Sequence, residues 1–142
     1  MMLNNSSRHI SSRQLIDAIT KLLDENERVV FGYLYGSIIS EGSGNDIDIA
    51  IFQEHQTDNT SLSVDIKIDL YRETGISADA FDVRIVNEII DKGDIFALFY
   101  LKNVLEGGQI LVDKKPEIRA AFLERYGFKF RECEGLIEEV LA

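Results

Sequence analysis

The sequence predicts an α/β (α+β) fold, and three observations carry that reading. Two near-continuous apolar, β-branched runs, "VVFGYLY" and "DIDIAIF", have the composition of strands covered on both faces. Stretches with helical spacing of apolar residues stand before, between and after such runs. The 142 residues, 45% hydrophobic and 28% charged, match one ordinary globular domain spanning 1–142, with enough chain to bury a real core.

The first helix begins after Ser11. Leu15, Ile16, Ile19, Leu22 and Leu23 fall on one face, Ser11 and Gln14 form a capping box, and Ile10 can staple against Leu15. After the charged "DENER" the strand "VVFGYLY" runs to Gly36-Ser37, and the glycine-rich "SEGSGN" is a loop. "DIDIAIF" is the next strand, and the polar "EHQTDNTS" breaks the pattern. In "SLSVDIKIDLYRETGI", residues Leu62, Val64, Ile66, Ile68 and Leu70 alternate as a strand would, although Leu62, Ile66 and Leu70 also share a helical face. Periodicity alone favours the strand. "AFDVRIV" is a strand with Phe81, Val83 and Ile85 on one face and Asp82 and Arg84 on the other. Residues 94–106 form a very apolar helix capped by Asp94 and stopped by Gly107, with Phe96, Phe99 and Tyr100 expected in the core and a partner surface as the alternative. "QILV" is a short strand, and from Pro116 a helix runs to the end, with a break expected at Gly127 or Gly135.

Charge and cysteine content exclude several functions. A formal net charge of -10 disfavours direct nucleic-acid binding, which relies on Lys and Arg neutralising phosphates. The single Cys133 supports neither a disulfide framework nor a zinc site, and His9 and His55 fall in polar stretches where they face solvent. No run approaches the length of a membrane span and the polar N-terminus has no apolar stretch after its basic residues, so the chain is expected to be cytoplasmic.

The strand "DIDIAIF" begins with a costly feature. Side chains two apart on a strand share a face, so Asp46 and Asp48 stand side by side while Ile47, Ile49 and Ile51 fill the opposite face. Two carboxylates this close repel each other unless a cation favours both ionised forms. Oxygen-only ligands of this kind suit Mg²⁺ or Mn²⁺, and Asp82, at the head of a neighbouring strand, is the candidate third acid. At Gly36-Ser37 the glycine permits a tight turn, and backbone N–H groups with the serine hydroxyl can hold a phosphate, although no P-loop motif is present.

The order strand, Gly-Ser, short spacer, Asp-x-Asp, strand beginning with Asp resembles the DNA polymerase β-like nucleotidyltransferases, and specifically the minimal nucleotidyltransferases that act as antitoxins beside HEPN-domain toxins. The resemblance covers roughly residues 28–112. It implies a nucleotidyltransferase fold, a mixed β-sheet flanked by helices with a C-terminal helix, and it places a helix at 61–75 against the alternation. By matching motifs it assigns Gly36 and Ser37 to the triphosphate, and Asp46, Asp48 and Asp82 to catalysis and to two Mg²⁺ ions, with Mn²⁺ an alternative.

Two departures stand out. The spacer "IISEGSGN" carries Ile38 and Ile39 and no arginine where many relatives have one, and Asn45 replaces a frequent Ser or Thr. Arg84, on the face of Asp82, is either a compensating cation or a solvated or acid-paired arginine, and Glu41 and Glu54 are expected to face solvent. The implied activity is transfer of AMP from ATP to a hydroxyl, a tyrosine on a cognate HEPN toxin, which silences that toxin. Two alternatives stay open: an inert antitoxin of the same fold that neutralises its partner by contact, and an enzyme that adenylylates a small molecule.

Overall fold

The computed structural model describes residues 10–36, 47–54 and 59–141. Helix α1 (Ser12–Glu25) starts at the expected cap: the Ser11 hydroxyl accepts from the Gln14 N–H at 3.1 Å, and the Gln14 side chain accepts from the Ser11 N–H at 2.9 Å. Each satisfies a donor the helix leaves unpaired. Leu15, Ile19 and Leu23 are buried, and Ile10 packs on the same cluster as the staple requires.

Four strands form one mixed sheet in the order β3-β2-β1-β4. Strand β1 (Val29–Tyr35) runs antiparallel to both β2 (Ile47–Gln53) and β4 (Gln109–Asp113), whereas β3 (Phe81–Ile85) lies parallel to β2 at an edge. Val29 through Leu34 are all buried, which explains the unbroken apolar run of β1. Alternation along the strands sends residues to two cores. Ile47, Ile49, Ile51 and Val83 pack with α1 on one face. Phe31, Tyr33 and Ala50 pack on the other face, where the rings of Phe31, Phe52 and Phe122 meet with centroids 5.0 to 5.5 Å apart.

A parallel pair needs a crossover, and α2 (Asn59–Thr74) supplies it. The alternation in this segment is therefore misleading. Leu62, Ile66 and Leu70 are fully buried against the sheet, while Val64 and Ile68, which would share their face in a strand, are 45% and 40% exposed. A 3₁₀ turn (Ala78–Ala80) then leads into β3. Beyond β3, the Asn87 side chain pairs with both backbone groups of Gln53 at 2.9 and 3.0 Å. A short helix α3 (Ile89–Lys92) follows that the sequence pattern does not announce.

Helix α4 (Ile95–Gly107) is capped by Asp94, whose carboxylate accepts from the Ala97 N–H at 2.9 Å. Its end differs from expectation by one residue. Gly107 is helical and Gly108 is the cap, because a β-carbon at 108 would collide with the Val104 carbonyl, whereas one at 107 meets open space. Phe96 also departs from expectation: it is 64% exposed, since the helix turns Leu98, Leu101 and Val104 to the sheet instead. Helix α5 (Pro116–Leu141) runs unbroken through Gly127 and Gly135. A β-carbon at Gly127 would meet one Arg131 nitrogen at 3.6 Å, and nothing lies within 4 Å of such a position at Gly135. Each glycine thus carries only the cost of about 1 kcal/mol in helix propensity, which a helix of this length absorbs. Among the described residues no helix is long and apolar enough to cross a membrane.

The helical assignment of α2 has a direct test. Ile66→Ala should cost about 2–5 kcal/mol in urea denaturation and Ile68→Ala less than about 1 kcal/mol. Equal losses at the two positions would be the signature of a strand.

Candidate functional site

Sheet register brings the predicted acids together. Parallel pairing sets Asp48 directly opposite Asp82, and antiparallel pairing sets Tyr35 of β1 opposite Asp48 from the other side. Because Ile47, Ile49 and Ile51 are locked into one core, Asp48 must point to the opposite face. The side chain of Asp82 is 48% exposed, so the two carboxylates meet where the sheet opens to solvent.

Gly36 closes the third side. It ends β1 with φ +114°, a conformation L-residues rarely adopt, and a β-carbon there would lie 2.6 Å from Asp48 Oδ2. Glycine is thus required twice, once by the turn and once by the approach of the carboxylate.

Arg84 is the cation beside this cluster. Its Nε lies 3.3 Å from Asp82 Oδ2, and its guanidinium carbon sits 4.5 Å from the centre of the Tyr100 ring. The arginine is thus paired with an acid, as one of its expected readings had it. Tyr100 itself reaches in from α4, where burial pushes its phenol pKa up, the positive charge of Arg84 pulls it back, and Asp82, Asp48 and Tyr35 push it up again. Pattern reading places Tyr100 in the core and misses its second role. The signal was present, since a tyrosine on so apolar a helix has a polar end that must find a polar neighbour.

Gly36, Asp48 and Asp82 therefore converge, whereas Ser37 and Asp46 lie outside the described residues, as do Ile38, Ile39, Glu41, Asn45, His9 and His55. Glu54 does not simply face solvent: both its oxygens accept from Lys115 Nζ, at 2.8 and 2.7 Å. Among the described residues no group of three or more His, Cys, Asp or Glu side chains is placed to hold a metal ion. The donors that do meet, two part-exposed carboxylates with a side-chain-free residue against one of them, are the oxygen-only kind that suits Mg²⁺ or Mn²⁺.

Comparisons with known proteins bear on the fold. The model of the family described as polymerase beta, nucleotidyltransferase, matches residues 17–117. A solved structure of a tri-AMPylated HEPN toxin in complex with MNT antitoxin, from Shewanella oneidensis, is similar at 20% identity over 92% of this chain and 99% of that chain, with TM-score 0.59. A toxin-antitoxin with AMP-PNP matches at 20% identity over 89% and 98%, with TM-score 0.60. The toxin-antitoxin MntA-HepT matches at 19% identity over 92% and 99%, with TM-score 0.57. No curated protein matches the sequence.

Two outcomes follow from this geometry. Gly36→Ala should destabilise the fold by about 1–2 kcal/mol, the order of cost for an L-residue forced to positive φ. Combined with Asp48→Ala the loss should be smaller than the sum of the two, because the clash is then relieved; strict additivity in urea midpoints would disprove the contact. The second outcome concerns pH. An unfolded phenol loses its proton near ~10, whereas Tyr100 and Tyr126, the latter pushed up to about 12 by burial and by the charge of Glu106, keep theirs in the folded chain. Above pH ~10 the unfolded state then binds fewer protons, so stability should fall as pH rises. Replacing both tyrosines by Phe should flatten that fall in urea midpoints measured from pH 8 to pH 11.

Proposed function

We propose, for a chain that belongs to the polymerase beta nucleotidyltransferase family, that it transfers AMP from ATP to a tyrosine hydroxyl of a cognate HEPN toxin and thereby acts as that toxin's antitoxin. The observation that carries this reading is the facing of Asp48 and Asp82 across the β2–β3 pair, with Gly36 closed against Asp48. The AMPylated toxin bound to a protein of the same fold supports the choice of group transferred and of partner.

In this reading the acceptor oxygen attacks the α-phosphorus of ATP in line. A new P–O bond forms, the bond to the β-phosphate oxygen breaks, and pyrophosphate leaves. The backbone at Gly36, with Ser37, holds the triphosphate, and no side chain at 36 obstructs its approach. The Asp82 carboxylate polarises the acceptor O–H and takes its proton. Mg²⁺ ions, when held by Asp48 and Asp82 together with Asp46, supply positive charge against the phosphates. Arg84, held against the Tyr100 ring of α4, fixes the position of Asp82.

One observation favours a second reading, in which the chain neutralises its partner by contact alone. Asp82 already has a cation in Arg84, so the acids can be kept without a metal. A single experiment separates the two. Incubated with ATP, Mg²⁺ and a cognate HEPN protein, the wild-type chain should add adenylate to the partner, seen as a discrete increase in intact mass. Asp82→Asn should slow this by at least about 10²-fold while leaving complex formation unchanged. Full neutralisation of the partner by both proteins without a covalent mark would establish the contact reading.

A further inference from the structure

We infer that a groove beside the third acid, between α2, β3 and α4, receives the ring of the acceptor tyrosine; this inference rests on the transfer reading above. The strand order fixes which side the acceptor must use. Asp48 lies between Asp82 on β3 and the Tyr35–Gly36 end of β1, so the two flanking groups stand on opposite sides of it. In-line displacement also puts the attacking and leaving oxygens on opposite sides of the phosphorus. With the triphosphate at Gly36, the leaving pyrophosphate belongs to the β1 side and the acceptor enters from the β3 side.

A groove opens there. It has a volume of about 460 Å³ and is lined by Ser63 and Val64 of α2, Arg84 and Ile85 of β3, Ile89 of α3, and Ala97 and Tyr100 of α4. Arg84 and Tyr100 link it to the acids, since the guanidinium lies 3.3 Å from Asp82 and stacks over the Tyr100 ring. The lining therefore changes along its length. Val64, Ile85, Ile89 and Ala97 supply apolar walls with the Ser63 hydroxyl among them, and a planar cation backed by an aromatic ring connects the groove to Asp82. That sequence of surfaces complements a phenol, whose ring gains from apolar burial and from the guanidinium face while its hydroxyl reaches the carboxylate. A serine or threonine hydroxyl gains nothing from those walls. The volume lies in the range of small-ligand sites and exceeds what one ring needs. Outside the groove, Ile68 and Tyr71 continue the exposed strip of Val64 along α2, 40% and 53% exposed, offering an apolar path for the segment that carries the tyrosine.

The test uses the chain with ATP, Mg²⁺ and its HEPN partner, and two groove variants outside the catalytic residues. Ala97→Trp fills the groove, and Val64→Arg places a charge at its rim from a position exposed enough to leave folding intact. Both should raise KM for the partner at least tenfold, keep the thermal stabilisation by Mn²⁺ with ATP, and leave the adenylate on a tyrosine when the product is mapped. Transfer at the wild-type rate in both variants would overturn the groove and leave the transfer reading standing. Loss of the ATP-dependent stabilisation along with transfer would assign the groove to the nucleotide and also overturn the inference, as would adenylate mapped to serine or threonine. A wild-type chain that modifies nothing would remove the transfer reading and this inference with it.

Discussion

The parallel pairing of β2 with β3 is the constraint on which the rest of the site depends. It alone sets Asp48 opposite Asp82, and it needs a connection long enough to carry the chain back along the sheet. Helix α2 makes that connection and fixes the register, because Leu62, Ile66 and Leu70 pack with Ile47, Ile49, Ile51, Phe81 and Val83 in one cluster. Sliding β3 by one residue would turn Asp82 into that cluster, where an unpaired carboxylate is among the costliest groups to place. The core packed under α2 thus aligns the carboxylates on the opposite face.

That alignment creates a local conflict. Two carboxylates in register repel, and on a chain of net charge -10 there is little positive background to relieve them. Arg84 relieves part of it through the same alternation that places Asp82, since residues two apart on β3 share a face. Its side chain is 53% exposed, so the pair contributes at most about 1 kcal/mol to stability. The stacking on Tyr100 matters more for position than for energy: it holds a long, flexible side chain against one carboxylate.

How much was legible depended on whether a signal was local. The capping box at Ser11, the cap at Asp94, the turn at Gly36 and the alternation in β2 are each decided within a few residues, and each stands in the structure. In the segment 59–74 the period alone pointed to the wrong element, because all five alternating apolar residues satisfy a strand and only three of them satisfy a helix. Resolving it took the family resemblance, and the physical reason is the crossover, which no residue within the segment encodes. The one-residue error at the end of α4 has a tertiary cause as well, since a β-carbon at 108 would also crowd the Leu34 carbonyl of β1 at 3.1 Å. The pairing of Glu54 with Lys115 joins residues 61 positions apart and left no trace in the pattern.

Three of the residues that misled the pattern reading lie exposed on the two long helices beside β3. Val64 and Ile68 made α2 look like a strand, Phe96 was expected in the core, and all three are exposed on the elements that flank β3. An edge strand beside apolar surface is ordinarily an invitation to strand addition by another chain. Here that route is blunted, because the Val83 carbonyl is taken by the Ser63 hydroxyl at 2.8 Å and α2 packs along the strand. Side-chain surface is available beside it, at Val64 and Ile68 of α2 and Phe96 of α4. A partner meeting this edge therefore gains little by extending the sheet and much by burying apolar groups, which favours recognition through side chains inserted beside Asp82 over a strand laid along β3.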